Sequence, residues 1–231
     1  MNFAKSAGLN PLRSEEARYS VRHLNVEDIS EIARLENLCW MPRLRADEST
    51  LSARFQARHI SLGAFVEGQL VGVTSFLYTQ FDPNLPEMLP SSFHLFSSLP
   101  MHPQPNSAFV YNLNMHPRHR GEILTRKLIF TGIDQLLKDN IKYLVGASRC
   151  PSYNGNTDSS AEKIVQSTRF RQIIDASMLS GSIPSNKMLS IDPVVRFYRR
   201  TLHCDFMKIV PNFLPGDLPS GGFGIYFCKS L

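Results

Sequence analysis

This sequence is short of the residues that staple small folds or bind metals. Its four cysteines, Cys39, Cys150, Cys204 and Cys228, are far apart and form no CxxC pair. That argues against a structural zinc site or a disulfide framework and fits reduced thiols. His94, His102, His116 and His119 have no HxxxH spacing with a carboxylate partner, so no metal site is expected. No run of about 18 apolar residues is present, which excludes a helical membrane span. The first residues, "MNFAKSAGLNPLRSEE", lack the apolar stretch of a signal peptide. A cytoplasmic protein is the expectation. No element interleaves aromatic and basic residues, so nucleic-acid binding is set aside, and no internal repeat is visible.

What is present is enough to build a core. The 231 residues are 42% hydrophobic and 19% charged, a composition of folded rather than disordered chains. A net charge of +5 and a pI near 9.1 suit acidic partners, among them phosphorylated cofactors and acidic carrier proteins.

Residues 1–17 are polar and read as a loose arm; 18–231 read as one domain. "YSVRHL" alternates as a strand, and Ile29, Ile32, Leu35 and Leu38 then form a helical stripe with Asn25 as its cap. "STLSARFQAR" predicts a second helix capped by Ser49 or Asp47. Two β-rich runs flank Glu67-Gly68, a hairpin signal. Residues 81–107 hold six prolines and no sustained period, and read as a surface excursion over a site. "AFVYNLNM" is a strand, a helix runs on to about Asn140, and "KYLVGASRC" is a buried strand. Ser159 and Glu162 stand at capping-box spacing before another helix. "DPVVRFYRRTL" is a short helix with Pro193 in its first turn, and two strands close the chain. This order predicts an α+β single domain, a mixed and mostly antiparallel central sheet flanked by helices.

The stretch "NMHPRHRGEILTRKLI" carries the chemistry. A strand, a turn holding Gly121 and a helix beginning near Ile123 make an anion trap, because first-turn amides lack intrahelical partners and sit at the positive end of the helix dipole. Arg118, His119 and Arg120 add charge. From this stretch alone, a basic turn that merely caps a helix fits equally well.

The segment Pro117-Arg118-His119-Arg120-Gly121-Glu122-Ile123 resembles motif A of the GNAT acetyltransferase superfamily: Pro, two residues, Arg-Gly-x-Gly, then a helix. The other landmarks follow in that family's order over residues 18 to 230. The resemblance implies that the backbone from Arg118 through Glu122 and Ile123 to Leu124 holds the pyrophosphate of acetyl-CoA or another acyl-CoA. Leu113 and Met115 would grip the pantetheine arm or polarise the acyl carbonyl. Ile123 departs from the family's second glycine and brings β-branched bulk where a phosphate would approach.

A narrower resemblance, carried by "LENLCWMPRLRADESTLSARF", "LVGASRCPSY" and "VVRFYRRTLHCDFMKIVPNFLPGDLPSGGFGIYF", is to the GNAT-like loading domains of polyketide synthases. Those pass acyl groups from coenzyme A to a carrier-protein thiol, and some were assigned a decarboxylase step. Their Trp of the "CW" pair matches Trp40, and Ser148 stands for the Thr of their "VTRC". Tyr198 and Leu214 replace their His and Arg, which puts decarboxylation in doubt and leaves acyl transfer.

The likeness to GNAT enzymes in general implies that Tyr198 of "RFYRR" protonates the leaving thiolate, and the neighbouring Arg199 and Arg200 are expected to favour its anion. Ser148 is the second catalytic candidate, at the end of its strand. Trp40 and Asn114 are candidates for the substrate pocket. The strand "VYNLNM" offers Asn112 and Asn114 but no carboxylate, so the general base is missing at the position some relatives use. A GNAT-fold binding module without turnover is the alternative.

Overall fold

Asn25 opens the first helical segment by accepting a hydrogen bond from the Glu27 amide at 2.9 Å, while Asp28 accepts one from the Asn25 amide at 3.0 Å. This reciprocal cap ends β1 (Tyr19–His23) and starts α1 (Ile29–Cys39) after one 3-10 turn. The computed structural model describes residues 19–154 and 161–231, without the side chains of Met88, Glu122, Ala161, Glu162, Lys163 and Asn186. The predicted arm, Ser159 and the Glu162 side chain lie outside the described residues.

Asp47, not Ser49, caps α2 (Glu48–Gln56), accepting from the Thr50 amide at 2.8 Å. Then β2 (Ile60–Val66) and β3 (Gln69–Thr79) form the expected hairpin. Glu67 and Gly68 both have positive φ, 51° and 81°, as a two-residue turn that follows the sheet's twist requires.

The proline-rich segment is not an excursion clear of the core. It contains α3 (Phe93–Ser98), capped by Ser92, and buries Phe81, Leu89 and Phe96. Phe96 stacks on Phe109 with ring centroids 3.5 Å apart. The prolines hid this helix because it is one and a half turns long and anchored by packing rather than by period.

β4 (Ser107–Met115) leads through a 3-10 turn into α4 (Glu122–Lys138), followed by β5 (Tyr143–Ser148). Next come α5 (Ala161–Ser180), α6 (Asn186–Leu189), α7 (Pro193–Thr201), β6 (Asp205–Val210) and β7 (Gly224–Ser230). The seven strands run in the order β1-β2-β3-β4-β5-β7-β6. Only β4 and β5 pair in parallel. The fold is α+β, as the sequence predicts, with two short helices added.

One feature of the sheet makes a site. β4 pairs with β5 from Ser107 opposite Tyr143 to Val110 opposite Gly146, and then runs on to Met115 without it. At the parting, Tyr111 is an extra residue in β4: Phe76 faces Val110 while Ser75 faces Asn112. Such a bulge bends and twists its strand, so the sheet opens into a wedge.

Candidate functional site

Two connected cavities occupy that wedge. An outer cleft of about 1350 Å³ is lined by Leu113, Met115, Arg120, Phe197 and Tyr198 among others. An inner chamber is lined by Glu36, Arg54, Phe93, Asn112, Ser148 and Leu214 among others. Trp40, Tyr111, Ala147 and Arg149 border both.

The mouth of the cleft is basic. The amphipathic helix α7 turns Val195 and Tyr198 inward and leaves Arg196 and Arg200, one turn apart, on its outer face. These two arginines share a cavity with Arg120, Gly121 and Thr125. Gly121 is the N-cap of α4 and supplies no side-chain cap, so the amides of that first turn have no capping side chain. Its backbone is extended, at φ −177°, and a Cβ there would meet nothing within 4 Å. Gly121 is therefore not needed for the turn; what it leaves is open space at the helix end. The Ile123 side chain is 83% exposed, whereas Leu124 is buried in the core and only its backbone lies in the first turn. Arg118 is exposed and His119 half-buried, beside His116, which accepts from the Arg118 amide at 3.2 Å.

Met115 departs from expectation. Its carbonyl already accepts from Cys39 Sγ at 3.3 Å and Arg120 Nε at 3.4 Å, and so is occupied. Leu113 lies half-buried in the cleft wall.

Tyr198 stacks on Phe227, centroids 4.3 Å apart, and is 8% exposed. Its hydroxyl has no hydrogen-bond partner among the described residues. Burial pushes the phenol well above its ordinary value, with Cys204 adding to the rise. The arginines expected to favour its anion do not: Arg199 turns to the Cys204 carbonyl and Asp205, at 3.3 and 3.5 Å. The helix periodicity explains this, since Arg199 and Arg200 follow Tyr198 directly and point to other faces.

Ser148 is fully buried and donates to the Arg149 carbonyl at 2.9 Å, which commits its only proton to the backbone. It borders the chamber but is not poised as a donor, a correction to its candidacy as a catalytic residue.

The carboxylate missing from β4 comes from α1. Glu36, 3% exposed, accepts from Asn112 Nδ2 at 3.1 Å, Asn114 Nδ2 at 2.5 Å and the Ala46 amide at 3.2 Å. Asn114 in turn accepts from Trp40 Nε1 at 2.7 Å, which ties both predicted pocket residues to this acid. Burial raises the Glu36 carboxyl; the Ala46 amide, Arg54, Asn112 and Asn114 oppose the rise.

Arg149 lies over the Trp40 ring at 4.6 Å and is held by Asp217 through two bonds of 2.7 and 2.5 Å. Asp217 is fully buried, so this fork fixes the boundary between the cavities. Tyr111 is fixed from below. His59 Nε2 faces the Leu99 carbonyl at 2.7 Å, so it carries the proton and leaves Nδ1 to accept from the Tyr111 hydroxyl at 3.0 Å. Burial pushes the Tyr111 phenol up to about 12.

Glu36, Arg54, Tyr111, Arg196 and Asp217 were missed in the sequence. Glu36 left one signal: an acid directly after Leu35 on a stripe turned inward. Among the described residues no helix is long and apolar enough to cross a membrane, and no cluster of His, Cys, Asp and Glu could hold a metal ion.

No known family profile matches this sequence, and no curated protein matches it. Solved structures do. The loading GNAT-like domain of CurA from Lyngbya majuscula superposes with a TM-score of 0.66 at 17% identity, over 92% of this chain and 97% of that one. A GphF GNAT-like decarboxylase, solved in complex with isobutyryl-CoA, gives 0.66 at 22% identity, over 91% and 98%. The ribosomal-protein-S18-alanine N-acetyltransferase of Escherichia coli gives 0.52 at 14%, over 92% and 93%. These three carry different chemistries on one architecture, and at such identities they establish architecture alone. With its seven strands, its single parallel pair and the wedge between β4 and β5, this chain has the fold of the GNAT superfamily.

Proposed function

We propose that this protein is an acyltransferase that moves an acetyl or other short acyl group from coenzyme A to an amine or a carrier-protein thiol, by direct attack on the thioester. The observation that carries this reading is Glu36, a hydrogen-bonded carboxylate in a chamber joined to the cleft lined by Tyr198. Direct transfer needs a base on the acceptor side and a proton donor on the leaving-group side, and the wedge has one candidate for each. A solved structure on this fold, bound to isobutyryl-CoA, supports a coenzyme A thioester as the donor, and another is named as an N-acetyltransferase.

In this reading the diphosphate lies across the first turn of α4, from Arg118 to Leu124, with Arg120, Arg196 and Arg200 around it. The pantetheine arm follows the unpaired edge of β4 toward the wedge. Trp40 and Arg149 border the acyl carbon, and Glu36 takes the proton of the acceptor. Tyr198 hydrogen-bonds the departing sulfur and gives up its proton as charge builds there. Burial raises the basicity of that thiolate as it raises the phenol, so the transfer stays feasible. A cytoplasmic location belongs to this reading, and the basic mouth formed by Arg120, Arg196 and Arg200 would suit an acidic carrier protein.

Arg120→Ala and Gly121→Val are each expected to weaken coenzyme A binding at least tenfold in calorimetry, about 1.4 kcal/mol. Because a Cβ at Gly121 has open space, the melting temperature of Gly121→Val should stay near that of the parent. Unchanged affinity in both variants would remove the diphosphate from this loop.

Malonyl-CoA is expected to survive without decarboxylation. Leu214 contributes an apolar wall, and the nearby Arg149 guanidinium is already paired with Asp217. Acetyl-CoA accumulating from malonyl-CoA in mass spectrometry would overturn this.

A further inference from the structure

The inner chamber holds two opposite charges that do not meet. Arg54, on α2, lies over the rings of Tyr111 at 5.1 Å and Phe93 at 5.9 Å. Among the described residues its guanidinium makes no ion pair and no hydrogen bond, and its Nε is buried without a partner. Glu36 lines the same chamber, held by amides alone. Beside it Asn112, 6% exposed, gives its Nδ2 to Glu36 and leaves Oδ1 buried and unpartnered. A donor and an acceptor are thus both unsatisfied in one cavity. Buried polar atoms are rarely left so, because each has given up its hydrogen bonds to water without a replacement. Phe93, Phe213, Leu214 and Phe223 add apolar wall, and the Arg149 guanidinium that also borders the chamber is paired with Asp217.

Building on the acyltransferase reading, we propose that this chamber is the acceptor subsite and takes a zwitterion, a small molecule with a primary amine and a carboxylate on one short frame, such as a free amino acid. The carboxylate faces the Arg54 guanidinium. The ammonium faces the Glu36 carboxylate. An apolar side chain lies against Phe93, Phe213 and Leu214.

The chemistry balances. Glu36 removes one proton from the ammonium, and the freed lone pair attacks the thioester carbon. The C–N bond forms and the C–S bond breaks. The sulfur gains a proton from Tyr198, the nitrogen loses its second proton as the amide forms and that proton restores Tyr198 by way of solvent, and the first leaves Glu36 to solvent. An acyl-CoA and an ammonium become an amide, free coenzyme A and one proton.

An amine without a carboxylate leaves Arg54 unpaired, and a carrier thiol offers neither charge. A site built for a polar group rejects analogues lacking it by factors far beyond those for a missing methylene. An acyl group with its own distal carboxylate could also reach Arg54, but it would bring a second anion beside Glu36.

The test pairs L-alanine with ethylamine and L-phenylalanine with 2-phenylethylamine, each pair differing by the carboxylate, using acetyl-CoA and reading thiol release and product mass. A phosphopantetheinylated carrier protein is the third arm and malonyl-CoA an alternative donor. At least one amino acid should be acylated 10²-fold or more faster than its decarboxylated partner. Arg54→Met should raise KM for the amino acid at least tenfold, affect the slow reaction of the plain amine far less, and be partly rescued by Arg54→Lys. Equal rates within each pair would overturn the proposal, as would equal effects of Arg54→Met on both. Transfer to the carrier thiol alone would overturn it while leaving acyl transfer standing. A preference for malonyl-CoA that vanishes in Arg54→Met would assign the arginine to the donor and sink it too. If no acceptor turns over while coenzyme A still binds, the acyl-transfer reading falls. Calorimetry of amino acids on the coenzyme A-loaded protein then decides this one: binding lost in Arg54→Met supports the subsite, and no binding ends it.

Discussion

Tyr198→Phe should lower turnover roughly 10²-fold or more, the usual worth of a positioned general acid, while barely moving coenzyme A affinity or the melting temperature. The reasons are separable. The ring stays against Phe227, so packing is kept. The hydroxyl removed has no partner among the described residues, so no orphan is created; a stability change within about 1 kcal/mol, of either sign, is expected. The diphosphate loop is on another element. A thermal melt, a binding isotherm and a rate on this one variant therefore test the fold, the donor site and the acid independently. An unaffected rate in a folded variant would make Tyr198 a packing residue. A parent protein that binds coenzyme A but transfers nothing would make the chain a binding module.

Glu36→Gln should cost still more, about 10²- to 10⁴-fold in rate, and this time stability should move as well. The carboxylate accepts from three donors; an amide has one oxygen and directs an NH₂ at another N–H group, for a loss of about 1–3 kcal/mol. Stability and rate should also respond to pH in opposite senses. Burial holds the folded-state Glu36 above its ordinary value of 4.5, against the opposing pull of the Ala46 amide, Arg54, Asn112 and Asn114. The folded protein thus binds this proton more tightly than the unfolded chain. The stabilisation from protonated Glu36 is fully present below the unfolded value and is lost as pH rises through the folded one. The rate needs the ionised form and so falls as pH is lowered through that same window. In Glu36→Gln both limbs should disappear. An acid limb of the rate that persists in the variant would mean that another group is the base.

The fold was legible in the sequence to the extent that local signals carried it. Asn25, the Glu67-Gly68 turn and Pro193 each announce an element through chemistry that needs no tertiary partner. The loop proposed to hold the diphosphate was legible for the same reason: Pro117, Arg120 and Gly121 lie close together in the chain. The acid–base set was not. Glu36, Asn112 and Asn114 are neighbours only because α1 crosses the end of β4, a contact between positions 76 and 78 apart in the chain. The third helix was obscured by prolines that flank it without interrupting it. Arg199 was misread because adjacency in sequence was taken for adjacency in space, and on a helix consecutive residues diverge by about 100°.

The extra residue at Tyr111 also sets what this protein can survive as it changes. Before it, Ala108 and Val110 face the cluster that holds Leu128 and Ile129, and Phe109 faces the opposite one; beyond it, Leu113 and Met115 take up the first face. Asn112 and Asn114 are thereby turned toward Glu36. Because side chains alternate with period two, the same residues running past Tyr111 without the bulge would exchange the two sets, swinging both amides into the apolar cluster and Leu113 and Met115 toward the acid. Deleting Tyr111 would instead restore regular alternation with each set on its own face, and what would go is the bend that opens the wedge. Among sequences that keep this site the extra residue is thus expected to be kept, even where few of the letters around it agree.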